Sequence, residues 1–90
     1  MKNNQLQPSD SAAELMTDLR ELILYNDDVN SFEFVIESLI EVCEHEAEQA
    51  EQCALIAHFK GKCNIKVGAY DELAPMNNQL NQRGISTVLV

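Results

Sequence analysis

The chain has 90 residues, 46% of them hydrophobic, and a formal net charge of −9 from 15 acidic and 6 basic side chains. That length allows one domain near the lower end of what a single apolar core stabilises, and the ordinary apolar fraction argues for folding rather than disorder. The charge repels polyanions, which excludes nucleic acid and anionic membranes as partners, and no run approaches the ~20 apolar residues that span a bilayer.

Residues 1–17 (MKNNQLQPSDSAAELMT) are polar and lack a sustained apolar period, so they read as a flexible arm ahead of a domain over 18–90. No apolar segment of signal-peptide type occurs between Met1 and Asp18, and the expected location is the cytoplasm. Glu21 to Tyr25 (ELILY) is a short run of strand formers. Asn26-Asp27-Asp28 stop it with side chains that bond their own backbone at turns. Asn30 has the chemistry of a helix N-cap, with Glu33 at the third helical position. Phe32, Val35, Ile36, Leu39 and Cys43 then recur at helical spacing and predict a first helix over Ser31–Cys43.

Glu44 and His45 form a polar break before a second helix over Glu46–Lys60, whose first-turn acids suit the helix dipole. Gly61 supplies its left-handed cap. The Ala47, Ala50, Cys53, Ala54, Ala57 line of this helix is small, which permits close packing or leaves room for another group. Lys62–Ala69 sets Cys63, Ile65 and Val67 against Asn64 and Lys66, the pattern of a half-buried strand. Asp71 is placed to cap a third helix reaching Arg83, where Pro75 is tolerated only near the first turn. Gly84 ends that helix and Ile85–Val90 forms a last strand. The order β-α-α-β-α-β predicts an α+β fold, three helices on one face of a three-stranded antiparallel sheet.

Between Glu21 and Glu51 stand ten acidic residues and no Lys or Arg, followed by Lys60, Lys62 and Lys66. Such a stretch is either a solvated surface or a setting that favours a cationic ligand such as an α-amino group. Nothing in the chain carries catalysis. Cys53 and His58 are five apart and point in different directions on a helix, where a cysteine nucleophile needs its base within reach. No GxSxG, HExxH or Gly-rich phosphate loop occurs. The three cysteines, Cys43, Cys53 and Cys63, read as reduced thiols rather than a disulfide framework. Together with His45 and His58 they lack C-x-x-C ligand spacing, so neither a metal nor a cofactor is expected.

Asn26-Asp27-Asp28, followed by Phe32-Glu33-Phe34-Val35-Ile36, resembles the signature of the ClpS family: Asn-Asp-Asp, a short turn, then Met-Glu-Phe-Val at a helix start. Ala57-His58-Phe59-Lys60-Gly61-Lys62 resembles the family's Val-His-Tyr-x-Gly-Lys segment, and the distance from Asn26 to His58 fits without a gap. The likeness covers Glu21–Lys62 well and the rest loosely.

This resemblance implies a fold similar to the C-terminal domain of ribosomal protein L7/L12 and a non-enzymatic adaptor. It would bind N-degrons, the destabilising N-terminal residues of other polypeptides, and deliver them to a ClpA-like or ClpC-like AAA+ unfoldase and its protease. The resemblance further implies that Asn26, Asp27 and His58 hold the substrate's α-amino group, with Asp28 and Asn30 in support. An ammonium has three donors and no acceptor, so an amide oxygen, a carboxylate and a neutral imidazole nitrogen suit it. By the same resemblance Phe32, Val35, Ala54, Ala57 and Ile85 line a pocket for the first side chain, although each also fits a plain core position.

Phe32 stands where the family has Met, and Ala54 and Ala57 where Met and Val are usual, which implies a preference for large aromatic side chains. The third helix reads Glu72-Leu73-Ala74 where the family carries a Glu-Thr-Lys docking segment, leaving Glu72 as the candidate for unfoldase docking. The alternative is an interaction module of the same fold that does not read a free amine.

Overall fold

Leu22 and Leu24 are buried while Glu21 and Tyr25 are exposed, an alternation that makes Leu19–Tyr25 (β1) a strand with one covered side. The computed structural model describes residues 18–90; the expected arm over 1–17 lies outside the described residues. β1 is the central strand of a sheet ordered β2-β1-β3, antiparallel on both sides, where β2 is Lys62–Ala69 and β3 is Thr87–Leu89. Three helices, α1 (Phe32–Cys43), α2 (Ala47–Lys60) and α3 (Tyr70–Gln82), complete the expected β-α-α-β-α-β order. Leu22 and Leu24 share one core with Leu39, Ala50, Leu73, Leu80 and Ile85, whereas Val67 and Val88 on the opposite side of the sheet remain exposed. The helices therefore cover a single sheet face. No helix of the described residues is long and apolar enough to cross a membrane.

Several boundaries and contacts differ from expectation for identifiable reasons. The N-cap of α1 is Ser31, not Asn30: the Ser31 Oγ accepts from the Phe34 N–H at 3.1 Å. The Asn30 side chain is used elsewhere. Likewise α3 starts one residue before Asp71, from Ala69 as N-cap without a side-chain bond, so Asp71 sits in the first turn instead of capping. Pro75 is the sixth residue of that helix, deeper than the first turn where it was expected. The last strand is shorter than Ile85–Val90, although Val90 and Glu21 still exchange backbone bonds at 2.9 and 3.0 Å.

The β2 pattern also breaks. Register slips between Leu22 and Ile23, where Leu22 faces Lys66 but Ile23 faces Asn64, leaving Ile65 as the extra residue of a bulge. A one-residue insertion reverses the side on which later residues fall. Ile65 is therefore buried and Val67, expected on the covered side, is 53% exposed opposite Glu21. Lys66 turns the other way, its Nζ 3.4 Å from the Cys43 carbonyl and 4.0 Å from Glu72.

His45, read as part of a polar break, is 5% exposed. Its Nε2 lies 2.7 Å from the Ile65 carbonyl; a carbonyl only accepts, so Nε2 carries the proton, and among the described residues the buried Nδ1 has no partner. That bond fastens the α1–α2 connection to the bulge. Glu44 just before it ends α1 at φ 60°, a left-handed conformation ordinarily given to glycine.

Candidate functional site

The end of β1, the turn after it, the first turn of α1 and the last two turns of α2 enclose an open cavity of about 510 Å³. Helical spacing explains which side chains reach it. Phe32 and Val35 are three apart on α1, and Ala54, Ala57 and His58 fall at i, i+3 and i+4 on α2. Asn26, Asp27, Asp28 and Asn30 come from the turn. The turn is tied to the end of α2 by the Asn26 N–H, which donates to the Gly61 carbonyl at 3.0 Å, just past His58. Gly61 can hold this position because it caps α2 at φ 96°, its own N–H donating to the Ala57 carbonyl.

Asp27 organises the turn. Its Oδ1 accepts from the N–H groups of Val29 at 3.0 Å and Asn30 at 2.8 Å, and its Oδ2 accepts from the Asn30 side chain at 3.1 Å. The second amide hydrogen of Asn30 goes to the Gly84 carbonyl at 2.8 Å, joining the turn to the α3–β3 connection. Burial alone would raise the pKa of the Asp27 carboxyl. The bonds from the Asn30 backbone, the Asn30 side chain and the Val29 backbone outweigh it and hold the value below the ordinary 3.8. Asp27 is thus an anion through the neutral range. A carboxylate offers about four lone-pair sites; three are occupied, which leaves one on Oδ2 for a ligand.

The Asn26 and His58 side chains make no hydrogen bonds among the described residues and are exposed on the cavity rim, with the His58 ring edge-on to Phe59 at 4.9 Å. The acceptors that suit an ammonium stand beside apolar walls. Ala54 and Ala57 are 5% and 3% exposed and present only methyl groups, so the cavity exists largely because these two side chains are short.

All the residues expected at the amine and pocket positions line this cavity except Ile85. Ile85 is 1% exposed within the core, drawn under α3 by the bond from its N–H to the Leu80 carbonyl at 3.0 Å. Its plain core reading is the one the structure supports. Glu72 also lies away from the cavity, on the first turn of α3 near Lys66. Four lining residues were missed: Leu24, Tyr25, Leu55 and Phe59. Tyr25 adjoins Asn26, and Leu55 and Phe59 are spaced i, i+4 beside Ala54 and His58, a second apolar stripe whose exposure reads as surface until the pocket is seen. Among the described residues no three His, Cys, Asp or Glu side chains are grouped to hold a metal ion.

Comparison with known proteins adds two findings. A family model described as "ATP-dependent Clp protease adaptor protein ClpS" matches residues 10–87. Among solved structures, Agrobacterium tumefaciens ClpS2 bound to L-phenylalaninamide is similar, with a TM-score of 0.65 and 21% identity over 81% of this chain and 98% of that chain. At that identity the structural likeness establishes the fold. The search of curated proteins gives no match.

Proposed function

The chain belongs to the ClpS family of ATP-dependent Clp protease adaptor proteins, and from that premise we propose that it binds the N-termini of other polypeptides and delivers them to a Clp unfoldase. The observation that carries this reading is the pairing of an anionic, acceptor-only rim with an apolar cavity: Asn26, Asp27 and His58 beside Phe32, Val35, Ala54 and Ala57. An N-terminal residue has the complementary chemistry, an ammonium next to an apolar side chain. The ligand named for the solved relative, L-phenylalaninamide, is that unit in its smallest form.

In this mechanism the substrate ammonium donates to the free lone pair of Asp27 Oδ2, to the Asn26 amide oxygen and to a ring nitrogen of His58. Bonds to charged groups contribute about 1.5–3 kcal/mol each. The first side chain enters the cavity, where burial of a Phe-sized group contributes about 1.5–3 kcal/mol. Asp28 adds negative potential and Asn30 holds Asp27 in place. An internal peptide segment has no ammonium and leaves these acceptors unsatisfied, which is the basis of selection for chain ends. Unfolding and cleavage then belong to the partner, a ClpA-like or ClpC-like machine. Glu72 is the proposed docking residue, and residues 1–17 engage the machine during transfer.

The test is calorimetric titration of a Phe-initiated peptide, free and N-acetylated, against wild type and Asn26→Ala. Asn26 is chosen because its side chain supports no other bond among the described residues. Acetylation is expected to weaken binding at least ~100-fold and Asn26→Ala by ~10-fold or more, since each lost charge-assisted bond corresponds to about one to two decades. Equal affinity for the free and acetylated peptides would replace this reading with an interaction module that ignores the amine.

A further inference from the structure

Two apolar side chains on the open side of the cavity take no part in the binding proposed above. Leu55 and Phe59 follow each other at i, i+4 on α2 and so stand on one side of that helix. Both line the cavity, yet Leu55 is 40% and Phe59 76% exposed, which puts them at its mouth. Ala54 and Ala57, 5% and 3% exposed, lie deeper on the same helix, and Leu24, 2% exposed, lies at the floor. The stripe adjoins the polar end of the site, because the His58 and Phe59 rings meet edge-on with centroids 4.9 Å apart. Singly exposed apolar side chains are ordinary, but these two adjoin each other and a cavity. The cavity is also roomier than one side chain requires: about 510 Å³ falls within the ~300–1,000 Å³ of sites that enclose whole small molecules.

We propose that Leu55 and Phe59 form a subsite for the side chain of the substrate's second residue, and that this subsite takes an apolar or aromatic group. The inference rests on the amine-binding reading above and adds a second position to it. With the ammonium at Asn26, Asp27 and His58 and the first side chain against Phe32, Val35, Ala54 and Ala57, the polypeptide leaves through the mouth. The turn side of the mouth is polar, formed by Asn26, Asp27, Asp28 and Asn30; the α2 side, beyond the residues that meet the first side chain, is apolar. Consecutive Cα atoms are about 3.8 Å apart. The second residue therefore starts within one residue's length of the group bound to His58, beside the Phe59 ring. Covering Leu55 and Phe59 with an apolar side chain removes apolar surface from water on both partners, and the Phe59 ring adds a pairing surface for an aromatic one.

The experiment is calorimetric titration of otherwise identical peptides beginning Phe-Ala, Phe-Leu and Phe-Trp, each free and N-acetylated. The proteins are wild type, Leu55→Ala, Phe59→Ala, Phe59→Tyr and Ile56→Ala, each first shown to be folded by circular dichroism. The readout is the affinity ratio between peptides that share the first residue, so that changes at the amine site or the first pocket cancel. Wild type is expected to bind Phe-Leu and Phe-Trp roughly fivefold more tightly than Phe-Ala, the scale of part-burying one apolar side chain. Phe59→Ala and Leu55→Ala are expected to bring the ratio towards one, and Phe59→Tyr, which keeps the ring, to preserve it. Ile56→Ala removes a neighbour that is 41% exposed but does not line the cavity, and the ratio is expected to stay at the wild-type value. A wild-type ratio near one, or a ratio that survives both Leu55→Ala and Phe59→Ala, overturns the subsite, and amine binding still stands if free peptides are preferred over acetylated ones. Equal affinity for the free and acetylated Phe-Ala peptides overturns both.

Discussion

Asp27 illustrates how one side chain can hold a turn and, in the function proposed above, still have an acceptor to offer a ligand. Three of its lone pairs hold the loop and one remains open. Its folded-state pKa is lowered, so the stabilisation from these bonds is complete above the ordinary value of 3.8 and is lost as pH falls through the lower folded value. Asp27→Asn is expected to lower the urea midpoint at neutral pH and to match wild type once the wild-type carboxyl is protonated; a gap that persists at strongly acid pH would contradict this account. The pocket walls make a second residue-scale argument. Ala54→Met fills space that only a methyl group now occupies. In a series of peptides beginning with Leu, Phe, Tyr, Trp, Ile or Val, wild type is expected to favour the aromatic ends. Ala54→Met should weaken Trp and Phe by about tenfold, the scale of a misfit worth ~1–3 kcal/mol, while sparing Leu. Uniform affinity across the series would remove the role assigned to the alanines.

At the scale of elements, helix ends decide where the site residues sit. Ser31 caps α1 and thereby sets the position of Phe32 at the cavity. Ser31→Ala is expected to cost about 1 kcal/mol in urea unfolding, with a matching loss of pocket order seen as weaker peptide binding. The C-terminal end of the same helix offers the opposite change. Glu44 holds a left-handed conformation that costs an L-residue roughly 1–2 kcal/mol. Glu44→Gly relieves this strain at the expense of unfolded-chain entropy, so a gain of up to about 1 kcal/mol is expected, without effect on peptide affinity because Glu44 is remote from the cavity lining. The end of α2 needs no such repair, since Gly61 already occupies its cap at φ 96°.

For the whole molecule the dominant quantity is charge. The net charge is −9, with ten acids in the segment Glu21–Glu51, and two of them, Asp27 and Asp28, line the cavity proposed to take a cation. Long-range attraction of this kind acts mainly on association and is screened beyond a Debye length of about 8 Å at physiological salt. The association rate of a Phe-initiated peptide carrying Arg or Lys further along is expected to fall several-fold between low and ~0.5 M salt, while the dissociation rate changes little. Stopped-flow measurement checks this, and a rate independent of salt would assign the acids to solubility alone. On the alkaline side, binding is expected to decline with a midpoint near ~8 as the substrate α-amino group loses its proton.

Much of the molecule was legible in one dimension because the signals are local. Helical spacing from Phe32 to Cys43, Gly61 after α2 and the turn chemistry of Asn26-Asp27-Asp28 each depend on neighbours a few residues away, and they yielded the element order; the cavity residues were named by the family resemblance, since spacing alone left each apolar one an equally good core position. What a periodic pattern leaves open is the surface that its buried face meets. Asn30 had the chemistry of a cap, but a carbonyl 54 residues later, at Gly84, and the Asp27 carboxylate claimed it. Ile85 was expected in the pocket by the family resemblance, with a core position as the other reading, and the α3–β3 connection drew it into the core. A bulge opposite β1 turned Val67 outward and Lys66 inward, and His45 was buried by the carbonyl of the extra residue. Composition and spacing thus determined the elements, the charge and the turn chemistry of Asn26-Asp27-Asp28, while a role for that turn in binding an ammonium came from the family resemblance. Tertiary structure alone decided which small and apolar side chains became walls of a cavity and which became core, because that depends on contacts between segments far apart in the chain.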